Sequence, residues 1–191
     1  QDQFLTYSLL TQATVELNAA RTDIEIKRIA VTLESQDKTA GTLNLAGTWP
    51  IAPSKQGGAI TVATKDLDTA PLVDIFRIFP GRDHGPLLLN ANVAIAQDST
   101  SGIFVVRGQE TLGPIRLAGK GKDGGPNETT LRIEHDLSRQ DDEIRAAVLT
   151  MTADRPGGRS DRMTASGTVK IAGQPGAQLR MEVATLDAAW Y

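Results

Sequence analysis

Cysteine is absent from the chain, which excludes disulfides, thiolate metal sites and cysteine nucleophiles. Histidine occurs twice, at His84 and His135, too few for a histidine-rich metal centre. No apolar run approaches the ~20 residues a membrane-spanning helix needs, and Leu87-Leu88-Leu89 and Ile103-Phe104-Val105-Val106 fall far short. Basic charge is not in excess: 20 Lys and Arg stand against 23 Asp and Glu, so a face for nucleic acid or anionic membrane is not expected. Aromatics make up only 4% of the residues, beside 18 Gly and 9 Pro, a mix that suits many strands joined by turns. What remains, at 23% charged and 40% hydrophobic, is an ordinary folding composition rather than a disordered one. A length of 191 residues suits a single β-rich domain, 1–191, expected to be soluble. The chain opens on Gln1 with no basic-then-apolar leader before it, which reads as a processed chain or a section of a longer one.

From Asp23 onward the dominant period is two. Ile24 and Ile26 alternate with Asp23, Glu25 and Lys27, and Ile29, Val31 and Leu33 alternate with Ala30, Thr32 and Glu34. The phase changes across Lys27-Arg28, which within one strand requires a bulge, because a one-residue slip moves side chains to the other face. The alternation recurs around Leu43 and Leu45, Ile60 and Val62, Val93 and Ile95, Ile115 and Leu117, Leu131 and Ile133, Val169 and Ile171, and Met181 and Val183. Apolar side chains on one face and polar ones on the other describe antiparallel strands with one wet face. Glycine-rich turns separate them at Gln56-Gly57-Gly58, Asp98 to Gly102, Gly119 to Pro126, Arg155 to Gly158 and Gly173 to Gly176. The fold class this predicts is mainly β, an antiparallel meander with one or two short helices.

One helix is expected from Asp68-Thr69-Ala70-Pro71, where Asp68 or Thr69 can cap and Pro71 suits the first turn. Leu72, Ile75, Phe76 and Phe79 share one face there, and Pro80-Gly81 ends it. A segment from Gln3 to about Leu17, with Phe4, Leu5, Leu9 and Leu10, reads equally as helix or strand.

Two parts of the chain echo one another. Gly47-Thr48, a turn, Ile60-Thr61-Val62 and Leu67-Asp68 reappear as Gly167-Thr168, a turn, Leu179-Arg180-Met181-Glu182-Val183 and Leu186-Asp187. The Gly-Thr pairs lie 120 residues apart and the Leu-Asp pairs 119 apart, so one gap aligns the two units. In each, Leu-Asp places an apolar anchor before a carboxylate suited to a helix N-terminus.

Met163 through Ile171 with Leu186-Asp187-Ala188-Ala189-Trp190-Tyr191, and Val62 through Leu72 upstream, resemble the AsmA-like family of bacterial envelope proteins related to TamB and YhdP. The resemblance covers Thr42 to Leu72 and Leu149 to Tyr191, under half of the chain, and its motifs are degenerate. It implies a meander curled into an open, β-taco-like groove, in a periplasmic protein held to the inner membrane of a Gram-negative bacterium by a helix outside these residues. It implies a non-enzymatic role in moving phospholipid for outer-membrane biogenesis, with no catalytic residues, cofactor or nucleic acid. A dry concave face would shelter acyl chains at about 25 cal/mol per Å² removed from water. Its lining would be Leu43, Leu45, Ile60, Val62, Val93, Ile95, Ile115, Leu117, Leu131, Ile133, Val169, Ile171, Met181 and Val183, with Leu72, Ile75, Phe76 and Phe79 on a helix at the groove mouth. The same stripe would equally be the core of a closed β-sandwich, a binding or adhesion module. For sugar binding, Trp49, Trp190, Tyr7 and Tyr191 are few and scattered.

The remaining motifs read as structure. In Glu134-His135-Asp136 alternate residues point to opposite faces, so His135 turns away from both acids and is expected as an exposed strand-end histidine. Asp83-His84-Gly85-Pro86 has turn composition and no Gly-x-Ser-x-Gly partner. Gly119-Lys120-Gly121-Lys122 lacks the phosphate-loop order and reads as a hairpin tip. Asp141-Asp142-Glu143 reads as a solvated charge run, and Asp123, Asp154 and Asp161 as turn residues.

Overall fold

The computed structural model describes residues 7–17, 23–35, 38–50, 57–69, 87–120, 126–173 and 175–185. They form ten strands: β1 (Tyr7–Leu17), β2 (Asp23–Ser35), β3 (Lys38–Pro50), β4 (Gly58–Asp68), β5 (Leu88–Gln97), β6 (Phe104–Lys120), β7 (Pro126–Gln140), β8 (Glu143–Arg155), β9 (Arg159–Lys170) and β10 (Gly176–Thr185). Each pairs antiparallel with the next in sequence, so the spatial order is the chain order. The outermost strands, β1 and β10, do not pair with one another, and the sheet is an open meander rather than a barrel.

The described residues contain no helix. Over Tyr7–Leu17 the ambiguous N-terminal segment is strand β1, its Ala13, Val15 and Leu17 lying opposite Ile29, Ile26 and Ile24 of β2. Packing on that neighbour decides what the Thr- and Ser-containing sequence leaves open. The expected helix carrying Leu72, Ile75, Phe76 and Phe79 lies outside the described residues. Its proposed capping residues stand at the end of β4, where they grip the start of β5. The Thr69 amide and hydroxyl both donate to the Leu87 carbonyl at 2.8 Å, and the Leu87 amide donates to Asp68 Oδ1 at 3.2 Å.

The bulge required at Lys27-Arg28 is present. The β2–β3 register jumps from Ile26↔Gly47 to Ile29↔Leu45, so both halves of the alternating run put their isoleucines on one face. The C-terminal third repeats this construction. β2 and β8 have 13 residues each and begin at Asp23 and Glu143, 120 apart. In β8 the register to β9 jumps from Ala146↔Gly167 to Leu149↔Ala165, leaving a bulge at Ala147-Val148, again 120 residues on. Gly47 and Gly167 face these bulges with φ of +149° and +143°. A Cβ on Gly47 would run into the Ala59 carbonyl oxygen, and one on Gly167 into that of Gln178. Only glycine allows so close an approach of strands in that conformation. The echo seen in sequence is therefore a three-strand structural unit, β2-β3-β4 repeated as β8-β9-β10.

Turn chemistry closes the hairpins. Between β5 and β6, Asp98 Oδ1 accepts from the Ser101 and Thr100 amides at 2.7 and 2.9 Å and from the Ser101 hydroxyl at 2.9 Å. Asp141 turns β7 into β8 with a φ of +49°, and Asp141, Asp142 and Glu143 are exposed as a charge run should be.

Candidate functional site

Register places the apolar side chains in rows that cross the whole sheet. One row runs Ala13, Ile29, Leu45, Val62, Val93, Gly108, His135, Leu149, Ala165, Met181 from β1 to β10. A neighbouring row carries Ile60, Ile95, Val106 and Leu137, and the next carries Val31, Leu43, Ile133, Met151, Met163 and Val183. Twelve of the fourteen expected lining residues thus share one face, including Leu131, opposite Leu112, Ile115, opposite Thr129, and Val169, opposite Ile144. Ile171 lies past the end of β9 and is 44% exposed. Leu117 is on β6, with its side chain outside the description.

This face has no second layer over it among the described residues. Leu87, at 3% exposure, is their one buried hydrophobic residue, and none of their large side chains is fully buried. A β-sandwich would bury such a stripe between two sheets, and these residues form only one. Between the outermost strands the row residues are half-buried by one another instead, and the sheet curls toward them. Trp49 on β3 and Phe104 on β6 meet edge-to-face with centroids 6.2 Å apart. Three strand spacings would hold their backbones about 14 Å apart in a flat sheet. The indole crosses Gly58, where a Cβ would meet Trp49 Cε3 at 2.7 Å.

The opposite face is polar. Arg107 pairs with Asp136 at 3.0 Å, Arg132 with Asp154 at 3.0 Å and Arg116 with Glu128 at 3.2 Å. These exposed pairs keep the outside wet and add little stability. Two recesses among the described residues lie largely on this side: one of about 510 Å³ beside Ser138, Asp141, Glu143, Arg145 and Lys170, another of about 380 Å³ among Asn92, Arg107, Gln109, Glu134 and Asp136. Most of the residues around each are polar, and Gly108 and His135 also border the second.

Three polar groups depart from sequence expectation, two of them, His135 and Asp161, on the apolar face and Asp154 on the polar one. His135 is not an exposed strand-end residue. It sits in mid-strand, its side chain 12% exposed, with Nε2 2.7 Å from Oε1 of Glu110 on β6 and Nδ1 3.4 Å from the Val106 carbonyl. Alternation does turn it from Glu134 and Asp136. Its partner comes from the adjacent strand, over Gly108, where a Cβ would stand 3.0 Å from both polar atoms. Asp154 and Asp161 are strand residues rather than turn residues. Arg155 Nη2 donates to Asp161 Oδ1 at 2.6 Å in a buried pair that ends the apolar rows beside Ala153 and Leu131. Among the described residues, no three metal-ligating side chains converge, and no helix is long and apolar enough to cross a membrane.

No family model matches the chain, and no curated protein or solved structure matches it.

Proposed function

We propose that the chain is a non-enzymatic section of an AsmA-like envelope protein, standing in the periplasm of a Gram-negative bacterium with its parent anchored in the inner membrane. On this reading its apolar face binds or conducts the acyl chains of phospholipid bound for the outer membrane. The observation that carries the reading is the apolar stripe of the trough, which no second layer of the described residues covers across ten strands. Each methylene an acyl chain lays against it would gain about 0.8 kcal/mol, while the phospholipid headgroup stays at the open side in water. The sequence resemblance supplies the compartment and the cargo, and Gly47 and Gly167 mark the two units that carry it.

The test is lipid extraction and mass spectrometry of the purified protein. Val62, between Leu45 and Val93, and Val169, opposite Ile144, lie in the trough, and Thr61 faces outward on the same strand. Phospholipid is expected on the native chain and on Thr61→Asp, and lost on Val62→Asp and Val169→Asp with strand signal retained in circular dichroism. A native chain that extracts free of lipid from membranes removes the proposal.

A further inference from the structure

On the polar face, opposite charges that meet across adjacent strands bond to one another. Arg107 stands opposite Asp136 and pairs with it at 3.0 Å, and Arg116 stands opposite Glu128 and pairs with it at 3.2 Å. Glu143 at the start of β8 and Lys170 at the end of β9 stand in the same relation, yet no ion pair joins them. Arg145, two residues along β8 and so on the same face, is likewise without an ion pair, as is the Asp142 carboxylate in the turn before β8. These charges of both signs border the recess of about 510 Å³ instead.

The frame of the recess is fixed by strand pairing. Register sets Ser138 beside Arg145 in one row, and Gln140, Glu143 and Lys170 side by side in the next. Neighbours in such a row have Cβ atoms about 5 Å apart. The turn at the end of the rows is tied from two directions: Arg139 Nε donates to the Asp141 carbonyl at 3.1 Å, and the Ile171 amide donates to the Asp142 carbonyl at 2.8 Å. Cations and carboxylates held this close without neutralising one another suit a ligand that carries both charges. The Arg145 guanidinium, the Lys170 ammonium and the Ser138 hydroxyl are donors for a phosphate, and the Glu143 carboxylate is an acceptor for an amine. The recess also adjoins the rim of the trough. Ile144, between Glu143 and Arg145, points to the apolar face with Val169 opposite it, and Ile171, just past Lys170, is 44% exposed.

We propose that this recess is a binding site for a phosphate ester bearing a primary amine, with Arg145 and Lys170 on the phosphate and Glu143 on the ammonium. That chemistry has two sources: a soluble aminoalkyl phosphate, and the headgroup of a phospholipid whose chains reach Ile144 and Val169 over the rim. Only the second rests on the trough's binding acyl chains.

The experiment is an amide NMR titration of the full chain with O-phosphoethanolamine, inorganic phosphate and ethanolamine. Saturable shifts are expected from Ser138 to Arg145 and at Lys170. O-phosphoethanolamine should bind about tenfold tighter than phosphate or ethanolamine alone, the gain expected of one further charge-assisted contact. Arg145→Gln with Lys170→Gln should abolish the binding of phosphate, and Glu143→Gln should reduce O-phosphoethanolamine to the affinity of phosphate. Arg107→Gln, on the same face but outside this recess, should change neither, and all four positions are exposed. Short-chain phosphatidylethanolamine separates the sources. Tighter binding than the soluble ester, with added shifts at Ile144 and Val169, assigns the lipid headgroup, and equal binding assigns a soluble ester. The proposal is overturned if O-phosphoethanolamine gives no saturable shift, if phosphate alone binds as tightly, or if the double variant binds as the native chain does. None of those results bears on acyl chains in the trough, which lipid extraction tests by itself.

Discussion

His135 on β7 places its Nε2 2.7 Å from Oε1 of Glu110 on β6, a polar contact set in the middle of an apolar face. The second carboxylate oxygen, Glu110 Oε2, is buried without a protein partner. Removing one member of such a contact strands the other, whereas replacing both with apolar groups does not. Glu110→Ala is expected to cost about 1–3 kcal/mol of unfolding free energy. Glu110→Leu combined with His135→Leu should cost much less than the two single changes added together. Urea denaturation of the three variants measures this, and strictly additive losses would show that the contact contributes nothing.

Gly47 and Gly167 should be far less replaceable than glycines of the turns. Both adopt positive φ and stand against the carbonyl of the next strand, whereas Gly157, at φ +84°, has open space where a side chain would go. Gly157→Ala is expected to cost about 1 kcal/mol from its backbone conformation alone. Gly47→Ala and Gly167→Ala add a collision with main-chain atoms, for a loss of about 2–3 kcal/mol or more. Equal midpoints in denaturant for Gly47→Ala and Gly157→Ala would refute the close approach of β3 to β4.

Acid should loosen the β5–β6 turn late. The Ser101 amide, then the Ser101 hydroxyl and the Thr100 amide, hold the Asp98 carboxyl below its ordinary value. A carboxyl so lowered stabilises the fold fully above its unfolded value of about 3.9, and the contribution disappears as the pH falls through the lower folded value. A carbon-detected NMR titration of Asp98, followed with the amides of Thr100 and Ser101, should give a midpoint under that of an unfolded peptide. A midpoint at or above the peptide value would exclude these hydrogen bonds.

Trp49 offers a local report on trough occupancy, because it leans across Gly58 toward Phe104 on the apolar face. The chain has two tryptophans, so Trp190→Phe isolates the signal. Phospholipid brominated along its acyl chains should quench Trp49 when loaded, and headgroup-labelled lipid should quench it less. Bound lipid that leaves Trp49 unquenched would place the chains elsewhere.

Much of the sheet could be read from the chain because alternation is a local signal. The bulge at Lys27-Arg28 was legible since isoleucines flank it in opposite phase. Its counterpart at Ala147-Val148 was not, because Ala146-Ala147-Val148-Leu149 is apolar throughout and carries no phase. The stripe from Leu43 to Val183 was legible for the same reason, whereas its being uncovered depends on what does not pack against it. The contact between His135 and Glu110 joins residues 25 apart. It exists only through the register of β6 on β7, which no local pattern states. The buried pair of Arg155 and Asp161 spans a hairpin whose glycines suggested a turn but not how far the strands flanking it extend. β1 shared its composition between two periods until Ile24, Ile26 and Ile29 gave it a surface.

Since every strand pairs only with its neighbours in the chain, this sheet behaves as a nearly one-dimensional system. Its stability is a sum of hairpin terms, and damage to one joint spreads little beyond the next. Most loop closures are short, the longest being the 19 residues between Asp68 and Leu88, so folding can zip forward largely hairpin by hairpin as the polypeptide emerges.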